Sequence, residues 1–257
     1  MPKRWLSGRG ALLSNLGRAL ALLALCTVAL QLAFFLRIAA MRVIDPESTA
    51  FERSEAWRLL VTKGRIEWSQ TWVPISQISP HLQRAVIASE DDGFLEHGGI
   101  DWDAIESAWE RNQRAEARAQ AQARRSGRAR AGAVPKVVGG STITQQLAKN
   151  LLLSGERTLL RKGQEAVLTL MIEAVLPKQR ILEIYLNHVE WGEGVFGAQA
   201  AARHYHRVDA ARLGPEAAAR LAVMLPAPKL FERRPNSAYV AQRAGTIVAR
   251  MRDVALP

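Results

Sequence analysis

The sequence predicts a mainly α-helical domain preceded by a single transmembrane helix. Three observations carry this. Residues 19–36 read ALALLALCTVALQLAFFL without one charge. Apolar faces at helical spacing recur from Pro80 to Met251, opened or closed by proline, glycine or capping residues. Strand character is confined to one short stretch, residues 66–73 (IEWSQTWV).

The apolar run comes first. At about 1.5 Å per residue it reaches about 27 Å as a helix, close to the hydrocarbon thickness of a bilayer. The rival reading is a cleaved signal peptide, whose apolar core is about 7–15 residues and ends in small residues, as Ile38-Ala39-Ala40 could imitate. The length of the run and its bounding Arg18 and Arg37 favour an uncleaved anchor. Lys3, Arg4, Arg9 and Arg18 precede the span, against Arg37, Arg42 and Arg53 after it, so the N-terminus is expected inside. The expected order is a cytoplasmic N-terminus over 1–18, an anchor over 19–41, a juxtamembrane helix or connector over 42–64, and a mainly α-helical domain over 65–257. That places the protein in the cytoplasmic (inner) membrane, single-pass, with its domain on the periplasmic or outer face.

The 257 residues suffice for an anchor and one domain with a real core. Of the formal net charge of +11, the Arg/Ala/Gln-rich segment 111–136 supplies +7. The remainder is only mildly basic, so the charge does not describe a nucleic-acid surface. The segment has few large apolar residues and is expected as a solvated helix or flexible loop, with attraction to anionic lipid or substrate as its functional alternative. Cys26 is the single cysteine, which excludes intramolecular disulfides and Cys-rich metal sites.

The helices follow in order. Ser79-Pro80 pairs a cap with a first-turn proline, ahead of Leu82, Ala85, Val86 and Ala88. Leu160, Val167, Leu168, Met171, Ile172 and Val175 mark a helix that ends before Pro177. Another spans 181–189. Gly214-Pro215 opens one that stops at Pro226, and Asn236 or Ser237 caps the last, through Met251.

Three constellations could do chemistry. Ser89-Glu90-Asp91-Asp92-Gly93-Phe94-Leu95-Glu96-His97-Gly98-Gly99-Ile100-Asp101 follows an apolar helix, whose last turn delivers Glu90 and Asp91 to a surface or cleft. Adjacent carboxylates raise one another's pKa, which suits a base. A solvated acidic helix end is the plain alternative. Gly139-Gly140-Ser141-Thr142-Ile143-Thr144-Gln145-Gln146-Leu147-Ala148-Lys149-Asn150 lets backbone approach a ligand and then offers hydroxyls, amides and a cation. It lacks the Gly-Lys-Ser/Thr of a nucleotide loop, and an N-cap by Ser141 or Thr142 is its structural reading. Arg157, Arg161 and Glu165 recur at four-residue spacing on one helix face, a pattern that ion pairs of about 0.2–0.5 kcal/mol each would also explain.

Taken in order, the three resemble the motifs of the family-51 glycosyltransferases: Glu-Asp-x-x-Phe-x-x-His-x-Gly-x-Asp, Gly-Gly-Ser-Thr-Ile-Thr-Gln-Gln-Leu-x-Lys-Asn and Arg-Lys-x-x-Glu. A fourth match is Lys178-Gln179-Arg180-Ile181-Leu182-Glu183-Ile184-Tyr185-Leu186-Asn187, and a looser fifth lies in residues 243–251. The resemblance covers about residues 72–251. It implies a lysozyme-like fold and an enzyme that polymerises lipid II into β-1,4-linked glycan with release of polyprenyl diphosphate. By that resemblance Glu90 is the base, and Glu165 is the second glutamate, near the donor diphosphate. Lys149, Arg157 and Arg161 stabilise the leaving group, while Thr142, Gln146 and Asn150 contact sugar or phosphate. Asp91, Phe94 and His97 complete the substrate site, with Phe94, His97 and Asp101 shaping the first motif.

No cofactor is required by the sequence. A divalent cation such as Mg²⁺ assists some relatives, but no ligand cluster demands one. The implied partners are lipid II, the growing glycan chain, membrane lipid and other cell-wall synthesis proteins, with no nucleic acid. The chain stops at Pro257 without a Ser-x-x-Lys motif, so it resembles the monofunctional branch, with no transpeptidase activity. Two departures stand out. The segment between the first two motifs is long and Arg-rich, and His204-Tyr205-His206-Arg207 stands where relatives commonly read Tyr-Phe-Gly-Lys. A lytic enzyme of similar fold is the nearest rival, but a neutral glycosidic leaving group needs no cationic face.

Overall fold

A computed structural model describes residues 4–126, 140–153 and 158–257, with side chains from residue 15 and without those of 122–126. The chain divides into two compact units, Met1–Ile44 and Asp45–Pro257. The first holds helix α1, Arg4–Ala40, within which Asn15–Ala40 is long and apolar enough to cross a membrane.

The second unit is built on helices. They are α2 (Ala50–Lys63), α3 (Pro80–Glu90), α4 (Trp102–Ser126), α5 (Ile143–Leu152), α6 (Leu159–Val175), α7 (Lys178–His188), α8 (Ala198–His206), α9 (Pro215–Met224), α10 (Pro228–Phe231) and α11 (Ala238–Arg250). Three short strands, β1 (Ser69–Gln70), β2 (Glu190–Gly192) and β3 (Val195–Phe196), form a sheet of order β1-β3-β2. β1 runs parallel to β3 and β2 antiparallel to it, with Ser69 opposite Val195 and Glu190 opposite Phe196. The stretch 66–73 therefore gives two paired residues rather than a full strand.

Helix boundaries follow from side chains read at the sequence level. Ser79 caps α3 ahead of Pro80, its Oγ accepting from the His81 N–H at 3.2 Å and donating to the Leu213 carbonyl at 2.6 Å. Thr142, not Ser141, caps α5. Its Oγ1 accepts from the Gln145 N–H at 3.1 Å, and the Gln145 side chain accepts from the Thr142 N–H at 3.1 Å, closing a reciprocal capping box. Ser237 caps α11 and Leu176-Pro177 ends α6, as the sequence predicts.

Two helical clusters share the core. α3, α9 and α11 pack on one another, and α5 is surrounded by α2, α6 and α7. Leu147, Ala148 and Leu151 of α5, Leu168 and Ile172 of α6, and Ile181 and Leu182 of α7 are fully buried. The stretch expected as a juxtamembrane helix or connector contains α2, which lies against α5 and is tied to the end of α7 through buried Glu52. That carboxylate accepts from the Thr49 N–H at 2.7 Å and lies 2.7 Å from His188 Nδ1 at the end of α7. Over its described side chains α4 is largely exposed, as expected of the first part of the Arg-rich segment; residues 127–136 of that segment lie outside the described residues.

Truncating Leu147, which sits where α5 meets its neighbours, leaves a void that the surrounding helices only partly refill. Leu147→Ala is expected to lower unfolding free energy by about 2–5 kcal/mol, measured by chemical denaturation of the purified protein.

Candidate active site

Glu90 is the last residue of α3, where Asp91 leaves helical geometry with φ −163° and ψ 73°. Its half-buried carboxylate Oε2 accepts from Gln146 Nε2 of α5 at 3.0 Å. Burial raises its pKa most and the Asp91 charge adds to the rise, while hydrogen bonds from Gln146 and Ser89 work the other way. A carboxylate so placed binds a proton more strongly than one in water.

The loop after Glu90 is tied to the start of α5. Asp91 Oδ1 lies 2.8 Å from His97 Nε2, and its Oδ2 accepts from the Ile143 N–H at 2.9 Å. His97 Nδ1 accepts from the Gly99 N–H at 3.0 Å, which leaves Nε2 as the donor to Asp91. Burial pushes the Asp91 pKa up, against those hydrogen bonds and the nearby charge of Lys178. Thr142 Oγ1 donates to the Gly99 carbonyl at 2.6 Å. Gly99 has φ +91°, and a Cβ there would stand 2.7 Å from both Glu173 Cγ and Thr169 Cγ2, so this corner admits only glycine. Phe94 is fully buried beneath Lys178, whose Nζ lies 4.6 Å from the ring centroid and donates to the His97 carbonyl at 2.8 Å.

Beyond Gln146 lies a cleft of about 480 Å³, lined among others by Ser141, Lys149, Asn150, Arg161, Lys162 and Glu165. The buried Glu165 carboxylate accepts from Arg161 Nη1 at 2.9 Å and Lys162 Nζ at 2.5 Å. Neither cation is neutralised alone, because one carboxylate faces both. A smaller cavity of about 160 Å³ lies on the Glu90 side, lined by Asp91, Asp92, Asp101, Arg111 and again Ser141.

The residues expected at the site thus fall into groups. Gln146, Lys149, Asn150, Arg161 and Glu165 line the cation-rich cleft, while Glu90 and Thr142 line the cavity beside it. Asp91 borders that cavity with both oxygens engaged in holding the loop. Phe94 and His97 sit behind this wall. Arg157 lies outside the described residues. Asp91, His97 and Asp101 bring one potential ligand atom each within 4.8 Å of one another. Both ring nitrogens of His97 are already in the loop's hydrogen bonds, so His97 could ligate a divalent cation only by giving one of them up.

A family model described as Transglycosylase matches residues 59–252. The chain belongs to the transglycosylase family. Curated relatives called biosynthetic peptidoglycan transglycosylase agree along most of its length. One from Bordetella pertussis is 54% identical over 83% of this chain and 82% of its own. One from Burkholderia ambifaria is 47% identical over 100% and 93%, and one from Burkholderia thailandensis 50% identical over 90% and 83%. As a transglycosylase the chain is an enzyme of glycosyl transfer, and the family match spans every lining residue of the cleft except Phe51.

Sequence reasoning did not place three residues of the transglycosylase cleft and its support: Lys162, Tyr185 and Glu190. Lys162 stands three residues before Glu165 and was legible from that spacing. Tyr185 lay inside a quoted motif with no role attached. Glu190 had no signal, because its surroundings come from remote segments: Lys229 Nζ lies 3.3 Å from its Oε1, and Glu55 and Glu232 are close enough to act on it. Burial above all, with those two carboxylates, pushes the Glu190 pKa to about 7 against the pull of Lys229. A carboxyl whose folded pKa exceeds its unfolded value favours folding at low pH and loses that contribution as pH rises from about 4.5 to about 7. Glu190→Gln is expected to flatten this fall, giving a higher Tm than wild type at pH 8 and little difference near pH 4.5 in parallel thermal scans.

Proposed function

We propose that this transglycosylase polymerises lipid II into β-1,4-linked glycan strands of peptidoglycan, releasing polyprenyl diphosphate. The observation that carries the reading is the pairing of a desolvated carboxylate, Glu90, with a neighbouring cleft rich in cations. The names of the relatives agree with peptidoglycan as the product.

The roles follow from the chemistry. The sugar 4-hydroxyl of incoming lipid II sits against Glu90, which takes its proton as the oxygen attacks the anomeric carbon of the growing chain. The bond from that carbon to the diphosphate breaks, and its electron pair leaves with the diphosphate. One direct displacement inverts the α-linked diphosphate to a β-1,4 bond, and Glu90 passes its proton to solvent. Lys149, Arg157, Arg161 and Lys162 stabilise the charge that develops on the leaving group. Glu165 holds Arg161 and Lys162 at the cleft wall, while Gln146 and Asn150 meet sugar or phosphate. Asp91, Phe94 and His97 position the loop that presents Glu90, and Thr142 fixes the opposite edge.

In the same proposal α1 anchors the enzyme in the cytoplasmic membrane with its domain on the outer face, where membrane lipid and other cell-wall synthesis proteins are its neighbours. A C-terminal reporter active only in the cytoplasm should stay silent; activity there overturns the topology.

Purified enzyme given lipid II should form polymer. Glu90→Gln is expected to lower turnover by about 10²–10⁴-fold with the fold retained, and Glu165→Gln to lower kcat by disturbing the cationic wall. Polymer formation by Glu90→Gln at the wild-type rate would remove Glu90 from the role of base, and cleavage of preformed glycan without polymer would replace synthesis by lysis.

A further inference from the structure

The motif Lys178-Gln179-Arg180-Ile181-Leu182-Glu183-Ile184-Tyr185-Leu186-Asn187 sends a hydroxyl toward the base from the protein interior. Tyr185 of α7 is 1% exposed, and its Oη donates to Gln146 Oε1 at 3.0 Å. Gln146 Nε2 in turn donates to Glu90 Oε2 at 3.0 Å. We propose that Tyr185 is a positioning residue for Glu90: its hydroxyl fixes which way the Gln146 amide faces and so holds an N–H donor against the carboxylate. The proposal rests on the reading of Glu90 as the base.

The two ends of a glutamine amide are nearly the same shape, so packing alone cannot choose between them. A carboxylate accepts and never donates; only the NH₂ end suits ionised Glu90. The reversed amide would set its oxygen against the carboxylate. Tyr185 adds to that choice: its phenol stays protonated, and the reversed amide, donating to Tyr185, would deprive the buried O–H of the acceptor it has in Gln146 Oε1. Burial first, then the charges of Glu90 and Asp91, push the phenol pKa well above the ordinary range. A buried hydroxyl also costs stability unless it is bonded, and a phenylalanine would fill the same space. What the oxygen adds is the bond to Gln146.

Other charged groups face Glu90. Asp91 adjoins it in the chain, and Asp92, Asp101 and Arg111 of α4 share its cavity. Arg250 of α11 reaches Asp92 at 2.9 Å. Those groups act through space on Glu90 whichever residue stands at 185, so a change confined to the hydroxyl separates the relay from them.

The test compares full-length enzyme with Tyr185→Phe, Gln146→Ala, the double variant and Glu90→Gln in lipid II polymerisation across pH, each checked by circular dichroism and thermal melting. Tyr185→Phe is expected to lower kcat about three- to tenfold with KM for lipid II near wild type. The acid limb of its kcat profile should move up by about half a unit to one unit, because the ionised base loses an aligned donor. In the Gln146→Ala background the same substitution should change kcat less than about twofold and leave the limb in place. Replacing Tyr185 by 3-fluorotyrosine, which keeps the shape and makes the phenol a stronger donor, should move the limb downward. An unmoved limb in both Tyr185 variants, or a full effect persisting without Gln146, overturns the relay while an inert Glu90→Gln leaves the base standing. Wild-type turnover by Glu90→Gln overturns the base and the relay with it.

Discussion

The site depends on one buried carboxylate. Asp91 faces His97 with one oxygen and the N-terminus of α5 with the other, through the Ile143 N–H. Removing it from water is costly, as its raised pKa records. The cost is offset because a negative charge at a helix N-terminus meets free N–H groups and the positive end of the helix dipole. The result is geometric. The end of α3 and the start of α5 are pinned side by side, and Glu90 and Gln146, one residue before and three residues after the pinned pair, meet across the joint. His97, Gly99 and Thr142 close the same ring of bonds, so the first and second motifs form one structural unit although dozens of residues separate them.

Much of this was legible in the sequence, for identifiable reasons. Helix ends were readable where a side chain both stops one structure and starts another: Ser79-Pro80, Leu176-Pro177 and Ser237. Thr142 and Ser141 could not be separated as caps by type, since both carry hydroxyls. The glutamine at the third helical position decides, because only Thr142 is spaced to exchange bonds with Gln145. The two-residue strands were out of reach, as Val195 and Phe196 are too few to show a period and pair with a segment more than a hundred residues earlier. For α2 the sequence left helix and connector both open, because its exposed Trp57, Leu60 and Val61 mask the face that matters, which turns on the buried Glu52. At the site, residues with chemistry in a local motif were found. Glu190, made unusual by Lys229, Glu55 and Glu232, was not, since its environment exists only in three dimensions.

In the proposed reaction the Glu90 cavity and the cation-rich cleft beside it solve different electrostatic problems. Glu90 must be ionised yet eager for a proton, which burial achieves and the Gln146 donor moderates. The diphosphate side must attract anions without collapsing onto its own acid, and Glu165 shared between Arg161 and Lys162 keeps both cations in place while leaving them net positive.

The unequal charge of this cavity and cleft also marks them for experiment. Ser141 stands at their border, with carboxylates gathered on one side and cations on the other. Mobile ions screen the second kind of contact far more than the hydrogen bonds of a neutral sugar. In the proposed reaction ionic strength therefore acts as a one-sided probe: a step governed by diphosphate capture would slow as salt rises, whereas a step governed by seating the incoming sugar hydroxyl would hardly respond.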